Sequence, residues 1–275
     1  ARDIHTFIYS KNNTVFCNSF KIDFSSVNLL LGGNGTGKST IFVLLANLRS
    51  FIQGKADVSE VFPFDSLTRW QLVPVQTFEF SLSYKNCEYT YQLEVEFNRD
   101  EKKNRVKKEV VLCQGNPIFR AENGKAILYN DSYKEGPELL VNWLSSGVSS
   151  VYERKDNKKL SDFKHAVDNI VVCHPLPSDY NFMISYAEEQ YINYTADNIP
   201  NVYIHIVQKN PEKMMNLWQV LKEINPCFVR TYLNGDSGKV LYFEYNQNGT
   251  KVSYTFSELS DGERMLFTLY FLVVM

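Results

Sequence analysis

The run Gly32-Gly33-Asn34-Gly35-Thr36-Gly37-Lys38-Ser39 fits the pattern G-x-x-x-x-G-K-[ST] at every fixed position. These residue types suit one chemistry, the holding of a nucleotide's phosphates. The glycines let backbone N–H groups close around phosphate oxygens and tolerate positive φ. Lys38 has the reach for the β- and γ-phosphates, and the Ser39 hydroxyl is the type of ligand that holds Mg²⁺. Thr40 closes the nucleotide-binding set at the head of the following helix. Far downstream, Leu259-Ser260-Asp261-Gly262-Glu263 places a capping box, Ser260-x-x-Glu263, ahead of an apolar helix. Read alone, this is a capped core helix. A sharper reading makes its N-terminus, with Ser260 and the flexible Gly262, a second phosphate-binding end.

Both stretches need elements to hold them. The apolar run Val27–Leu31 reads as a buried strand entering the loop. Ile41–Leu48 reads as the helix leaving it, ending near Gln53-Gly54 with Gly54 at the C-cap. Residues 4–24 read as a hairpin. Phe78, Phe80, Leu82 and Tyr84, then Tyr89, Tyr91, Leu93, Val95 and Phe97, alternate as a second hairpin about Lys85-Asn86. Asn98–Lys108 is charge-dense and reads as an exposed turn, with short strands at Val110–Leu112 and Ile118–Phe119. Residues 1–130 are therefore expected to be mainly antiparallel β around the loop and its helix.

Beyond Gly136-Pro137 the spacing of Leu139, Leu140, Trp143, Leu144, Val148, Val151 and Tyr152 predicts a helix, and Leu160–Val167 predicts another. Ile170–Cys173 reads as a buried strand, and 178–201 has too little periodicity to assign. Asn210-Pro211 starts a helix with Met214, Leu217, Trp218, Leu221 and Ile224 on its buried face. Three strands follow, Phe228–Leu233, Val240–Tyr245 and Val252–Phe256.

Composition narrows the classes. A chain of 275 residues can bury a sizeable core, and a net charge of −2 gives no global basic field for nucleic acid. Nucleic acid contact would need a local patch, either Lys102, Lys103, Arg105, Lys107 and Lys108, or Arg154, Lys155, Lys158, Lys159 and Lys164. Acidic residues interleave both clusters, so a solvated charged face is the preferred reading of each. Five scattered cysteines, odd in number and without C-x-x-C spacing, suit reduced thiols and a cytoplasmic protein. Cys173-His174 lacks a second ligand pair at zinc spacing. Arg2, Asp3 and His5 interrupt any leader, and the apolar Met265–Met275 is too short for a bilayer, so no membrane is expected.

Taken together, the glycine-rich loop and Leu259–Glu263 resemble the ATPase heads of the ABC superfamily. The likeness is to the soluble branch of RecF-like, structural-maintenance-of-chromosomes and overcoming-lysogenization-defect ATPases, with the bacterial proteins called AAA family ATPases. The resemblance implies an α/β (α+β) P-loop NTPase fold of ABC type: a mixed central sheet, an antiparallel β-subdomain and a helical subdomain. It implies one head over 1–275, with a nucleotide-binding β-rich lobe at 1–130, a helical insertion at 131–200, and return strands with the signature at 201–275. ATP and Mg²⁺ are the implied cofactors, with Ser39 on the metal. Two chains would dimerise head to tail, or assemble further, so that Ser260, Asp261, Gly262 and Glu263 of one contact ATP held by the other.

The resemblance has gaps. The family's next strand, ending in Asp-Glu, would lie past Met275, so catalytic residues are unknown and this chain is expected to bind ATP but turn it over poorly. For the Q-loop glutamine, Gln76 and Gln114 are candidates by spacing alone. Two functions fit. One is an ATPase subunit whose ATP-dependent dimerisation drives DNA repair, chromosome maintenance or anti-phage defence. The other is a catalytically incomplete ATP sensor that holds and releases an effector such as a nuclease or toxin. A transporter subunit fits LSDGE and the β-insertion badly.

Overall fold

The computed structural model describes residues 4–11, 20–24, 28, 30–31, 38–66, 74–175 and 184–274. The chain is a mixed α/β protein that divides into two compact units, Ala1–Ile170 and Val171–Met275.

The first unit is built on an eight-stranded sheet: β1 (Ile4–Lys11), β2 (Phe20–Asp23), β3 (Val75–Tyr84), β4 (Cys87–Asn98), β5 (Lys103–Cys113), β6 (Asn116–Glu122), β7 (Lys125–Tyr129) and β8 (Glu135–Leu140). The spatial order is β2-β1-β3-β4-β5-β6-β7-β8, and each pairing is antiparallel. β1 and β2 pair antiparallel as expected, while the expected turn at Asn12-Asn13 lies outside the described residues. β3 and β4 meet at Lys85-Asn86, where both residues have positive φ, 48° and 62°. That geometry matches the twist of a tight hairpin. Alternate residues of the pair, including Phe78, Phe80, Tyr91 and Leu93, are buried, as a sheet with one covered face requires.

Helices cover that face. α1 (Lys38–Ile52) buries Ile41, Leu45, Leu48, Phe51 and Ile52. It ends as expected, with Gly54 at φ +69°. The short α2 (Val58–Val61) leads to Phe62, which stacks on Phe78 at 4.6 Å between centroids. α3 (Lys158–Asp168), also expected, inserts Phe163 among Phe80, Tyr89 and Tyr91. Truncating such a buried ring to alanine costs about 3–5 kcal/mol.

Five expectations need correction. Lys103–Lys108 is not a turn but the first half of β5, because its cations pair across the sheet with acids of β4. Arg105 meets Glu96 at 2.7 Å and Lys107 meets Glu94 at 3.1 Å. Residues 139–152 are not a helix. They finish β8 and then run through turns, since their backbone donors find acceptors elsewhere: Val141 N–H donates to the Gly124 carbonyl and Gly147 N–H to Glu109. Ile170–Cys173 is not a strand; it has no neighbour to pair with among the described residues, and Val171 is 48% exposed. Of Val27–Leu31, residues 27 and 29 lie outside the described set, while Asn28, Leu30 and Leu31 belong to no strand and Leu31 is 81% exposed. The mixed central sheet is likewise not found among the described strands.

The second unit pairs β10 (Phe228–Asn234), β11 (Lys239–Gln247) and β12 (Thr250–Thr255), with the two-residue β9 (Ile184–Ser185) on the start of β11. Three helices pack with it: α4 (Ile199–Lys209), α5 (Pro211–Ile224) and α6 (Asp261–Val274). α4 begins at the end of the stretch 178–201 left unassigned by the sequence and runs beyond it; Ile199, Val202, Tyr203 and Ile206 form its buried face. α5 starts at Asn210-Pro211 and buries Met214, Leu217 and Leu221, but Ile224 is 46% exposed rather than core. The core closes on aromatic contacts, with Phe243 edge-on to Phe267 at 4.8 Å.

Candidate functional site

The glycines and spacer residues of the phosphate loop, Gly32, Gly33, Asn34, Gly35, Thr36 and Gly37, lie outside the described residues. Lys38, Ser39 and Thr40 are described and form the first turn of α1, with Lys38 half-buried and Ser39 and Thr40 exposed. No acidic residue occupies that turn. The opening N–H groups of a 15-residue helix present a partial positive charge, and no acidic side chain of the first turn offsets it. The buried face of α1 packs within the unit, so its N-terminus is held by a rigid element. The Ser39 hydroxyl on that exposed turn is the right donor type for a Mg²⁺ ion that also binds phosphate oxygens.

The head of α6 is built differently. Ser260 N–H donates to Glu263 Oε2 at 3.0 Å and Ser260 Oγ donates to the same oxygen at 2.8 Å. Glu263 N–H donates back to Ser260 Oγ at 3.3 Å, which completes the capping box read from the sequence. Arg264 Nη2 donates to Asp261 Oδ1 at 2.7 Å. Ser260, Asp261 and Gly262 are exposed. A Cβ built on Gly262 meets no atom within 4 Å, so the approach to this turn is open. A matching box precedes it, in which Thr255 N–H and Oγ1 donate to Glu258 Oε2 at 2.7 and 2.8 Å. Hydrogen bonds from the Thr255 backbone and side chain hold the Glu258 carboxyl below its ordinary value. Two successive boxes fix the chain direction into α6. Behind it, burial pushes the Tyr245 phenol up to about 12, with the Glu263 and Tyr254 groups adding to the shift.

The other candidates fall in dissimilar places. Gln76 is buried in β3 opposite Val95, and Gln114 is exposed on the β5–β6 turn at φ +51°. In the first basic cluster four of the five cations pair with acids of the same unit. Lys103 pairs with Glu101 at 3.4 Å and Lys108 with Glu94 at 3.9 Å, beside the Arg105 and Lys107 pairs above. Lys159 Nζ donates to the Asp131 carbonyl at 2.6 Å, and Lys164 Nζ to the Val151 carbonyl at 2.8 Å. Burial lowers the Lys164 ammonium from its ordinary value. Phosphate binding needs cations whose countercharge is exchangeable solvent ions, and Lys103, Arg105, Lys107 and Lys108 have carboxylates of the protein instead. No helix among the described residues is long and apolar enough to cross a membrane.

Sequence reasoning missed Glu109. It has no exposed surface and accepts from Ser146 Oγ at 2.6 Å, Gly147 N–H at 2.7 Å and Tyr91 Oη at 2.9 Å. Its neighbours in sequence are lysines and valines, a context that signals a strand's solvent face rather than a buried carboxylate. Compared with protein-family models and with curated proteins, the chain matches none of them.

Proposed function

We propose that this chain is an ATP-binding head of ABC type with a P-loop NTPase fold. Gly32–Thr40 hold the phosphates of ATP, Lys38 bridges the β- and γ-phosphates, and Ser39 ligates Mg²⁺. Ser260–Glu263 of a second copy close on the same nucleotide, so ATP links two chains and its loss separates them. The work such a cycle drives is DNA repair, chromosome maintenance or anti-phage defence in the cytoplasm. The observation that carries the reading is the complete G-x-x-x-x-G-K-[ST] pattern running into a helix whose first turn carries Lys38, Ser39 and no acid.

Titration with a fluorescent ATP analogue and Mg²⁺ tests it. Lys38→Ala removes a charge-assisted contact and is expected to weaken binding by about 10- to 100-fold or abolish it. Unchanged affinity would remove the phosphate-site assignment.

A further inference from the structure

The second unit contains a cavity of about 280 Å³ that meets the helix head assigned to the nucleotide only at Gly262 and Glu263. It lies between the C-terminal end of α5, the strands β10 and β11, and the first turns of α6. Phe228, Phe243, Tyr245, Leu259 and Phe267 line it, all nearly inaccessible to solvent. A dry cavity of about 150 Å³ is already enough to bind benzene. This one is roughly twice that size, and its aromatic walls suit the edge and face of another ring.

One wall is polar. Glu263 borders the cavity, and its hydrogen bonds within the capping box both fall on Oε2. The second carboxylate oxygen, Oε1, is left to accept a donor. Asn225, at the other polar point of the rim, spends its side-chain oxygen on Cys227 N–H at 3.1 Å. The mouth is marked by Ile224, an α5 residue whose sequence position suits the core but whose side chain is 46% exposed. We propose that this cavity is a binding site for a small aromatic molecule carrying one hydrogen-bond donor, its ring among Phe228, Phe243 and Phe267 and its donor on the Glu263 carboxylate. The site shares Glu263 with the proposed nucleotide contact, but it requires neither the phosphate loop nor a second copy of the chain.

Indole and naphthalene are the probes, because they share a bicyclic shape and differ in the N–H donor. Calorimetry with the whole chain is expected to give saturable one-to-one binding of indole below about 1 mM. Naphthalene is expected to bind several-fold more weakly, since only indole satisfies the carboxylate. Leu266→Phe, which adds volume at a half-buried lining position, is expected to abolish indole binding while the protein's melting curve remains cooperative. No saturable indole binding to the native chain would overturn the proposal. Equal affinity for the two probes would overturn the role given to Glu263, and with it the stated ligand class. Undiminished indole binding by a folded Leu266→Phe protein would place the ligand elsewhere and overturn the site. If that variant does not fold, the comparison of the two probes on the native protein still decides the matter.

Discussion

Glu109 shows how one buried carboxyl can organise a loop from a distance. Burial raises its carboxyl above the ordinary value, against the opposing hydrogen bonds from Ser146, Tyr91 and the backbone of Gly147 and Val148. The folded protein therefore holds this proton more tightly than the unfolded chain does. The resulting stability is complete below the unfolded-chain value and is lost as pH rises through the folded-state value. Glu109→Gln keeps the shape and the capacity to accept from Gly147, but does not titrate. Chemical denaturation of both proteins between about pH 4 and pH 8 is expected to show the native chain losing stability relative to Glu109→Gln as pH rises. A difference that is flat with pH would contradict the buried, proton-retaining carboxyl. Glu109→Leu leaves three donors without an acceptor and is expected to cost about 3 kcal/mol or more.

At the scale of elements, what could be read in the sequence depended on how local the causes were. The β3–β4 hairpin was legible because its period of two and its turn are local. The same holds for α5, for Gly54 at the end of α1, and for the Ser260–Glu263 box. Residues 139–152 were misread because apolar side chains spaced like a helix also arise in a strand followed by turns. What decides between them is Glu109, whose carboxylate takes the Ser146 hydroxyl from 37 positions away. Lys103–Lys108 failed for a similar reason, since its partners are acids on β4. The α1 terminus gives a direct test. Gly54→Ala forces an alanine to φ +69° and sets its Cβ 2.9 Å from Ser149 Cβ. The expected cost is about 1–2 kcal/mol, a fall of roughly 3–6 °C in the melting temperature. A melting temperature unchanged by the substitution would contradict the fit between the α1 terminus and that loop. Ser260→Ala removes the cap of α6 and is expected to cost about 1 kcal/mol.

For the whole molecule, the phosphate loop belongs to the first unit and the α6 head to the second. The fold of each unit was partly legible, and the capping box at the head of α6 was legible in its residue types. The claim that joins them is that Lys38 of one chain and Ser260 of another serve one nucleotide. Two variants separate the halves of that claim. Lys38→Ala removes the proposed phosphate grip, and Ser260→Arg blocks the second helix head at a modest cost in cap energy. Sizing with Mg²⁺ and a slowly hydrolysed ATP analogue tests it most directly. The native chain should dimerise and each variant alone should remain monomeric. An equimolar mixture of the two should recover a dimer, because one composite site is then intact. Dimers of Ser260→Arg alone, or a mixture that stays monomeric while the native chain pairs, would contradict the account.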